Sequence, residues 1–475
     1  MHPVTSKIAP TPNANVLAAP ETSAEFRRTA VFKSIAPHFD ALFAGYQHVV
    51  LAVSGGADST ALMHAAVAWR HRRLSVTPDS PAPTLSIVTI NHRLRPEATD
   101  EAESVAAAAR QLGLAHTTLT WDGTKPSSGL QAAAREARHA LIRQHLRSNG
   151  WPAVALAHTQ DDQAETLLMR LARGTGIDGL GAMRSRSDLG GGLTVLRPLL
   201  DIPKAALTEL LTAHGITWIE DPSNHSPAFE RVRLRQTQAK LQALSLGLDT
   251  AALSRTATRA QRASNALWVQ TASAWAGRGN HARFDPLGFA VVDWPWLRDA
   301  PEEIRLRLLA TLIETVGGQP GPVSLGRLEA MTCARDWLPP DGLTLHGVVF
   351  GSDCHAMITL TREFGRLPLP ELNLAPGTSA VWDRRFRVAS ETYHSAPLRF
   401  GALGPDGLAE IEAAGWHRPE IAARVLWTQP AVRSATASTP TVLAAPTLGY
   451  RPAGAAISCQ CEPVLPRFAL LTYKT

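Results

Sequence analysis

Residues 49–59 read VVLAVSGGADS. Val49 to Val53 is a short, wholly apolar run, as expected of a strand buried on both faces of a parallel sheet. It stops at Ser54-Gly55-Gly56, where two glycines allow torsions that let successive N–H groups point into one concavity, a grip for phosphate made of main chain. Ala57, Asp58 and Ser59 then open a helix containing Leu62 and Met63, whose N-terminus adds partial positive charge. A steric turn explains the glycines alone, but a carboxylate beside a phosphate cradle repels its ligand unless a cation such as Mg²⁺ sits between them, which makes Asp58 a metal-ligand candidate. No Lys follows the glycines, so the loop is not the GxxxxGK[ST] type.

The surrounding chain alternates strands with helices. Phe26 to Phe43 has helical spacing ahead of the first strand. Leu85 to Ile90 reads as the second strand and ends in Asn91-His92-Arg93-Leu94-Arg95, polar and basic residues where open α/β sheets bind ligands. Thr99 to Leu112 reads as a helix and His116 to Thr120 as a third strand. In the helical stretch LQAAAREAR from Leu130, Arg135 and Arg138 are i and i+3 and can look the same way. Ala153 to Ala157 is the fourth strand, followed by HTQDDQAET at His158 to Thr166. With a helix start near Asp161, Asp162 and Glu165 share a face at the strand's carboxyl end, where they could coordinate Mg²⁺ or receive a cationic substrate. Arg173-Gly-Thr-Gly-Ile-Asp-Gly-Leu-Gly-Ala-Met183 offers a tight turn with an arginine for phosphate. A strand at Leu193 to Leu196, the Arg197-Pro-Leu-Leu200 segment and a helix from Pro203 to Ala213 follow. After Asp221-Pro-Ser-Asn224, Arg231 and Arg235 fall on one helical face, a pair suited to phosphate. Five such alternations within 45–225 argue for an α/β fold with a doubly wound parallel sheet.

Composition bounds the rest. The chain has 475 residues, 45% hydrophobic and 19% charged, enough for two or three domains. No apolar run reaches membrane-spanning length and no compact signal segment opens the chain, so a cytoplasmic location and no membrane partner are expected. A net charge of +6 and a pI near 9.4 are compatible with a polyanionic partner. The four cysteines, Cys333, Cys354, Cys459 and Cys461, lie in the C-terminal third with no disulfide framework and no standard zinc spacing. Residues 1–25 read as a flexible leader and 26–240 as the catalytic domain. Residues 241–340 read as a small helical domain carrying Arg255, Arg259 and Arg262 at i, i+4, i+7, with further helices at Glu303–Val316 and Leu325–Trp337. Residues 341–475 read as a separate β-containing domain with strands at Leu343–Phe350, Ala356–Leu360 and Ala380–Val388.

The opening stretch resembles the PP-loop of the N-type ATP pyrophosphatases, which cleave ATP between the α and β phosphates and adenylate an oxygen of their substrate. The ordered set of SGGADS, NHRLR, AREAR, HTQDDQAET, RGTGIDGLGAM, RPLL and DPSN with its trailing arginines, over about residues 48–236, is similar to the tRNA(Ile)-lysidine synthase family. The resemblance implies adenylation of the C2 oxygen of cytidine-34 in the CAU anticodon of tRNA(Ile), using ATP and Mg²⁺. Attack by the ε-amine of free L-lysine then expels AMP. Carried over, Ser54, Gly55, Gly56, Ala57 and Ser59 would hold the phosphates and Asp58 a metal. Asp162 and Glu165 would serve the metal or orient the lysine, Arg135 would meet ATP, and Arg231 would stabilise the reacting phosphate. Some relatives have two histidines where this chain has His158-Thr159, so His158 receives no role. Oligomeric state stays open, a homodimer included. Two other readings compete: a different PP-loop enzyme, such as a tRNA thiolase or an amidating synthetase, and a non-catalytic nucleotide-binding module. The absence of N-terminal cysteines disfavours thiolation, and the retained acids disfavour mere binding.

Overall fold

The apolar run forms β1 (His48–Ala52), fourth from one edge of a six-stranded sheet and bonded in parallel to β2 (Thr84–Asn91) and β4 (Ala153–Ala155). With β3 (Ala115–Thr120), β5 (Arg186–Gly190) and β6 (Leu193–Leu196), the order is β3-β2-β1-β4-β6-β5. Five strands are parallel. The edge strand β5 is antiparallel to β6 and went unread in the sequence. Its RSDLG composition is polar because only Leu189 is buried, and the turn to β6 is made by Gly190, Gly191 and Gly192, all at positive φ.

The computed structural model describes residues 21–76, 82–94, 96–123, 125–126, 128–220, 249–332, 339–391, 397–433, 441–452 and 459–468. Arg95, residues 221–224 and Arg231, singled out in the sequence, lie outside the described residues, as do 1–20 of the expected leader. The chain divides into two compact units, 1–264 and 265–475.

In the first unit, ahead of the long helix Thr250–Ala276 that begins in it, eight described helices follow in order: α1 (Glu21–Arg28), α2 (Ala30–Phe43), α3 (Ala57–Val76), α4 (Ala98–Gln111), α5 (Leu130–Ser148), α6 (Gln160–Leu171), α7 (Ile177–Leu180) and α8 (Lys204–Ala213). The helix expected from Phe26 to Phe43 is interrupted at Thr29, an N-cap whose hydroxyl accepts from the Phe32 amide at 3.1 Å. Alternation along β1 separates two cores. Val49, Leu51 and Val53 pack with residues of α2, α3, α4 and α8, including Trp69 between Phe39 and Phe43. Val50 faces the other way, with Val88, Val154 and the α5 residues Ile142 and Leu146. The sheet is therefore covered on both sides, as its apolar strands require.

The second unit is built of antiparallel strands with helices among them. β7 (Ala282–Phe284), β8 (Ala290–Asp293), β9 (Thr344–Leu345), β10 (Val348–Ser352) and β11 (Met357–Arg362) form one sheet in the order β7-β8-β11-β10-β9. The helix Glu302–Gly317 shares a core with it through Leu308, Leu309, Leu312 and Ile313. The border expected at 340/341 thus falls inside one unit, because strands on either side of it pair directly, Ala290 with Leu360 and Val292 with Ile358. The apolar faces of helices 302–317 and 325–332 need that sheet to bury against.

Two expected strands are hairpins. Residues 343–350 turn at His346-Gly347 and 380–388 at Asp383-Arg384, positions held at positive φ. The remaining strands are β12 (Leu372–Leu374), β13 (Ser379–Trp382), β14 (Phe386–Ser390), β15 (Leu398–Ala402), β16 (Pro430–Arg433), β17 (Val442–Ala444) and β18 (Cys459–Pro463). Cys459 and Cys461 lie on β18 beside the core, and burial pushes their thiols up to about 11 and 12, far from the reactive thiolate range. Among the described residues no helix is long and apolar enough to cross a membrane.

Asp383 is the anchor of this second unit. Its buried carboxylate takes both Arg362, at 3.1 and 3.2 Å, and Arg385, at 2.7 Å. Asp383→Ala strands two buried guanidinium groups and is expected to cost about 3–5 kcal/mol, read as a lowered denaturation midpoint of the second unit. In the first unit Gly55 has φ +91°, and a Cβ there would lie 2.5 Å from Ile219 Cδ1. Gly55→Ala is expected to cost about 1–3 kcal/mol of local strain and to weaken nucleotide binding by displacing the loop, both measurable by thermal melts with and without ATP.

Candidate active site

Strand pairing places the two motif-bearing loops side by side. Leu51 and Ala155 are register partners on the adjacent parallel strands β1 and β4. The chain leaves β1 toward β2 on one side and β4 toward β6 on the other, so their carboxyl ends flank a topological switch point, where open α/β sheets bind ligands. Asp58 and Asp162 lie the same number of residues beyond that register pair, each in the first turn of its helix, α3 or α6.

The glycine turn is tightly specified. The carbonyl of Gly55 accepts from the Ile219 amide at 2.9 Å and from Thr60 Oγ1 at 3.2 Å, and Gly55 packs on Ile219 and Val105. Ser59 Oγ donates to the Gly56 carbonyl at 2.9 Å and accepts from the Ser54 amide at 3.1 Å. The Ser54 amide is therefore spent inside the loop. The first helical bond of α3 runs from the Thr60 amide to the Gly56 carbonyl, which leaves the amides of Ala57, Asp58 and Ser59 without an intrahelical acceptor. These amides and the side chain of Ser54, which is exposed, make up the expected phosphate cradle.

Three acids stand around the cradle, each with a different task. Asp162 Oδ2 accepts from the Thr159 amide at 2.9 Å and from Thr159 Oγ1 at 3.1 Å, so it closes the start of α6. Asp161 Oδ2 accepts from the Lys204 amide at 2.8 Å and thereby caps α8. Asp58 is paired through Oδ2 with Lys204 Nζ at 3.3 Å, while its buried Oδ1 has no partner among the described residues. Burial pushes the Asp58 carboxyl above its ordinary range; Lys204 pulls it back, and Asp162 and Asp161 push the same way as burial. An orphaned carboxylate oxygen with two further acids close by fits a hard dication such as Mg²⁺. Glu165 is 2% exposed, one turn further along α6. The expected trio Asp58, Asp162 and Glu165 does not converge as one closed cage: among the described residues no group of three or more His, Cys, Asp and Glu could hold a metal. One oxygen of Asp162, Oδ2, is engaged by its own helix start through the Thr159 amide and hydroxyl.

Basic groups line a second part of the carboxyl-end surface. Arg197 donates through Nε to His158 Nδ1 at 3.1 Å and through Nη1 to both the Arg184 carbonyl and Ser187 Oγ at 2.8 Å. Burial, with Arg135 adding repulsion, pulls Arg197 down to about 10. His139 is held below its usual range by burial and by Arg135, Arg138, Arg143 and Arg197. His92 is pushed down to about 4 by burial, with Arg138 and Lys125 contributing, and is neutral at physiological pH. Arg135 and Arg138 are both exposed, so the AREAR segment presents positive charge outward. His158 accepts from Arg197 and so acts as a brace for a cation.

Residues 170–183 dock the long helix Thr250–Ala276. Gln261 Nε2 donates to the carbonyls of Gly181 and Met183 at 2.6 and 2.7 Å, and Ser264 Oγ donates to Asp178 Oδ1 at 2.6 Å. Leu253, Ala257, Ala260 and Ser264 are buried on one face of this helix, while Arg255, Arg259 and Arg262 are exposed on another. Sequence reasoning missed Lys204 and Gln261. Lys204 stands just after Pro203, an ordinary helix start, and nothing local marks the carboxylates it meets.

A PP-loop domain model matches residues 27–242. Among curated relatives, a tRNA(Ile)-lysidine synthase of Bradyrhizobium sp. is 45% identical over 348 residues, covering 69% of this chain and 92% of the relative. One of Bradyrhizobium diazoefficiens is 44% identical over 61% of this chain and 78% of its own length. One of Ruegeria pomeroyi is 36% identical over 75% and 80%. With one relative matched over nine-tenths of its length and a PP-loop domain matched over residues 27–242, this chain belongs to the tRNA(Ile)-lysidine synthase family, ATP-dependent ligases that modify tRNA.

Proposed function

We propose that this chain converts cytidine-34 in the CAU anticodon of tRNA(Ile) to lysidine, with ATP, Mg²⁺ and free L-lysine as co-substrates and cofactor, in the cytoplasm. The observation that carries the reading is Asp58, with one carboxylate oxygen unpartnered among the described residues, set between the α3 amides and the acids of α6. A divalent ion at Asp58 would neutralise the phosphate charge facing that carboxylate. The amides of Ala57, Asp58 and Ser59 and the hydroxyl of Ser54 hold the phosphates. The C2 oxygen of the cytidine attacks the α-phosphorus, the bond to the β-phosphate oxygen breaks, and pyrophosphate leaves. The neutral ε-amine of lysine then attacks C2, and the C2–O bond breaks to release AMP. Asp162 and Glu165 orient the lysine through its α-ammonium or share the metal, Arg135 meets the nucleotide, and Arg231 stabilises the reacting phosphate.

The exposed Arg255, Arg259 and Arg262 supply a backbone contact for tRNA. Their face of the helix is opposite in character to the buried Leu253, Ala257 and Ala260, so the positive charge is directed to solvent and not to the core.

Incubation with ATP, lysine and tRNA(Ile) is expected to add one lysine to one cytidine, read by nucleoside mass spectrometry; a sulfur or ammonia-derived product would assign the chain to another PP-loop chemistry. Asp58→Asn is expected to abolish pyrophosphate release with the melting temperature retained, and wild-type rates in that variant would remove Asp58 from the reaction. Neutralising Arg255, Arg259 and Arg262 together is expected to weaken tRNA binding and to lower the salt-dependence slope by about 2–3 in log K against log[salt]. A slope unchanged from wild type would assign the stripe to solvent.

A further inference from the structure

Lys204 is held at both ends of its own residue by the acids of the site. Its amide donates to Asp161 Oδ2 at 2.8 Å, which fixes the start of α8 against the start of α6. Its side chain then runs back to Asp58 on α3, with Nζ 3.3 Å from Oδ2, and it remains 45% exposed. The ammonium is thus tethered close to where phosphates enter, on a flexible four-carbon stem, and carries donors that a single carboxylate oxygen does not use up. Lys204 is the cation that offsets the repulsion of Asp58 by Asp161 and Asp162.

We propose that Lys204 is an exchangeable counter-ion: it neutralises Asp58 before nucleotide enters, yields that carboxylate to the metal, and moves to the β and γ phosphates, where it stabilises the departing pyrophosphate. This rests on the functional reading above for the identity of the leaving group. Electrostatic economy supports it. A cation bound to Asp58 displaces Nζ by like-charge repulsion, and the nearest negative charge newly present is the polyphosphate held on the α3 amides. The exchange keeps the site near neutrality in both states. It also separates the two functions of the residue, because the hydrogen bond from the main-chain N–H of residue 204 to Asp161 holds the scaffold whatever side chain position 204 carries.

The test compares wild type with Lys204→Met and Lys204→Arg in the full chain. Mn²⁺ binding without nucleotide is measured by electron paramagnetic resonance of the free ion, and ATP binding with Mg²⁺ present by calorimetry. Removing the competing ammonium is expected to tighten Mn²⁺ binding several-fold in Lys204→Met. The same variant is expected to bind ATP about tenfold or more weakly, the loss of one charge-assisted phosphate contact. Lys204→Arg is expected to recover most of the ATP affinity. Movement of the two affinities in opposite directions is the signature, since a merely structural lysine would weaken both together and lower the melting temperature. Both affinities within twofold of wild type, or both weakened with a lower melting temperature, would overturn the proposal. These binding measurements decide Lys204 even if the wild-type protein adds no lysine to tRNA, a result that would remove the functional reading alone.

Discussion

Parallel pairing of β1 with β4 is the constraint on which the site depends. It sets two helix N-termini next to each other at the one place where the chain leaves the sheet in opposite directions. Two positive dipole ends then face one crevice, and that field is what makes it tolerable to place Asp58, Asp161 and Asp162 so close together. The same field that accepts these carboxylates also favours phosphate. An anionic ligand would therefore compete with these acids for the same field, and a cation would relieve the competition.

Much of this was legible because the catalytic unit obeys local rules. β1 is apolar on both faces because helices cover both faces, and the run Val49 to Val53 says so directly. Asp162 sits at the N3 position after Thr159, a capping pattern readable from spacing alone. What sequence could not supply was partnership across the fold. Asp161, one residue before Asp162, instead caps α8, a partner 43 residues away in the chain that no local spacing announces. Lys204 meets Asp58 only because the fold brings the start of α8 to the start of α3.

The second unit was less legible for a different reason. Its strands are short, and non-glycine residues hold the left-handed positions of its hairpin turns beside or in place of glycine. His346, Asp383 and Arg384 all adopt positive φ, and a period-two pattern continues through such turns, so each hairpin reads as one long strand. Asp383 can hold that conformation because its carboxylate is clamped between two buried guanidinium groups. Pairing between strands far apart in sequence also hides the extent of a unit: β8 and β11 are neighbours, although the helices at 302–317 and 325–332 lie between them in the chain.

The commitments of the acids imply an order of events. Asp162 is engaged with Thr159 and Asp161 with the Lys204 amide, while Asp58 keeps one buried oxygen without a hydrogen-bond partner among the described residues. One carboxylate oxygen is a weak site for a hexacoordinate dication, which ordinarily draws its remaining ligands from water and substrate phosphates. A metal would therefore enter with the nucleotide, as a pair, and the affinity of each for the crevice would depend on the other. Such coupling would guard against premature chemistry: without the polyphosphate Asp58 stays paired with Lys204, and without a metal the polyphosphate would meet an uncompensated carboxylate. A cradle built this way would favour the complex of the two over either alone.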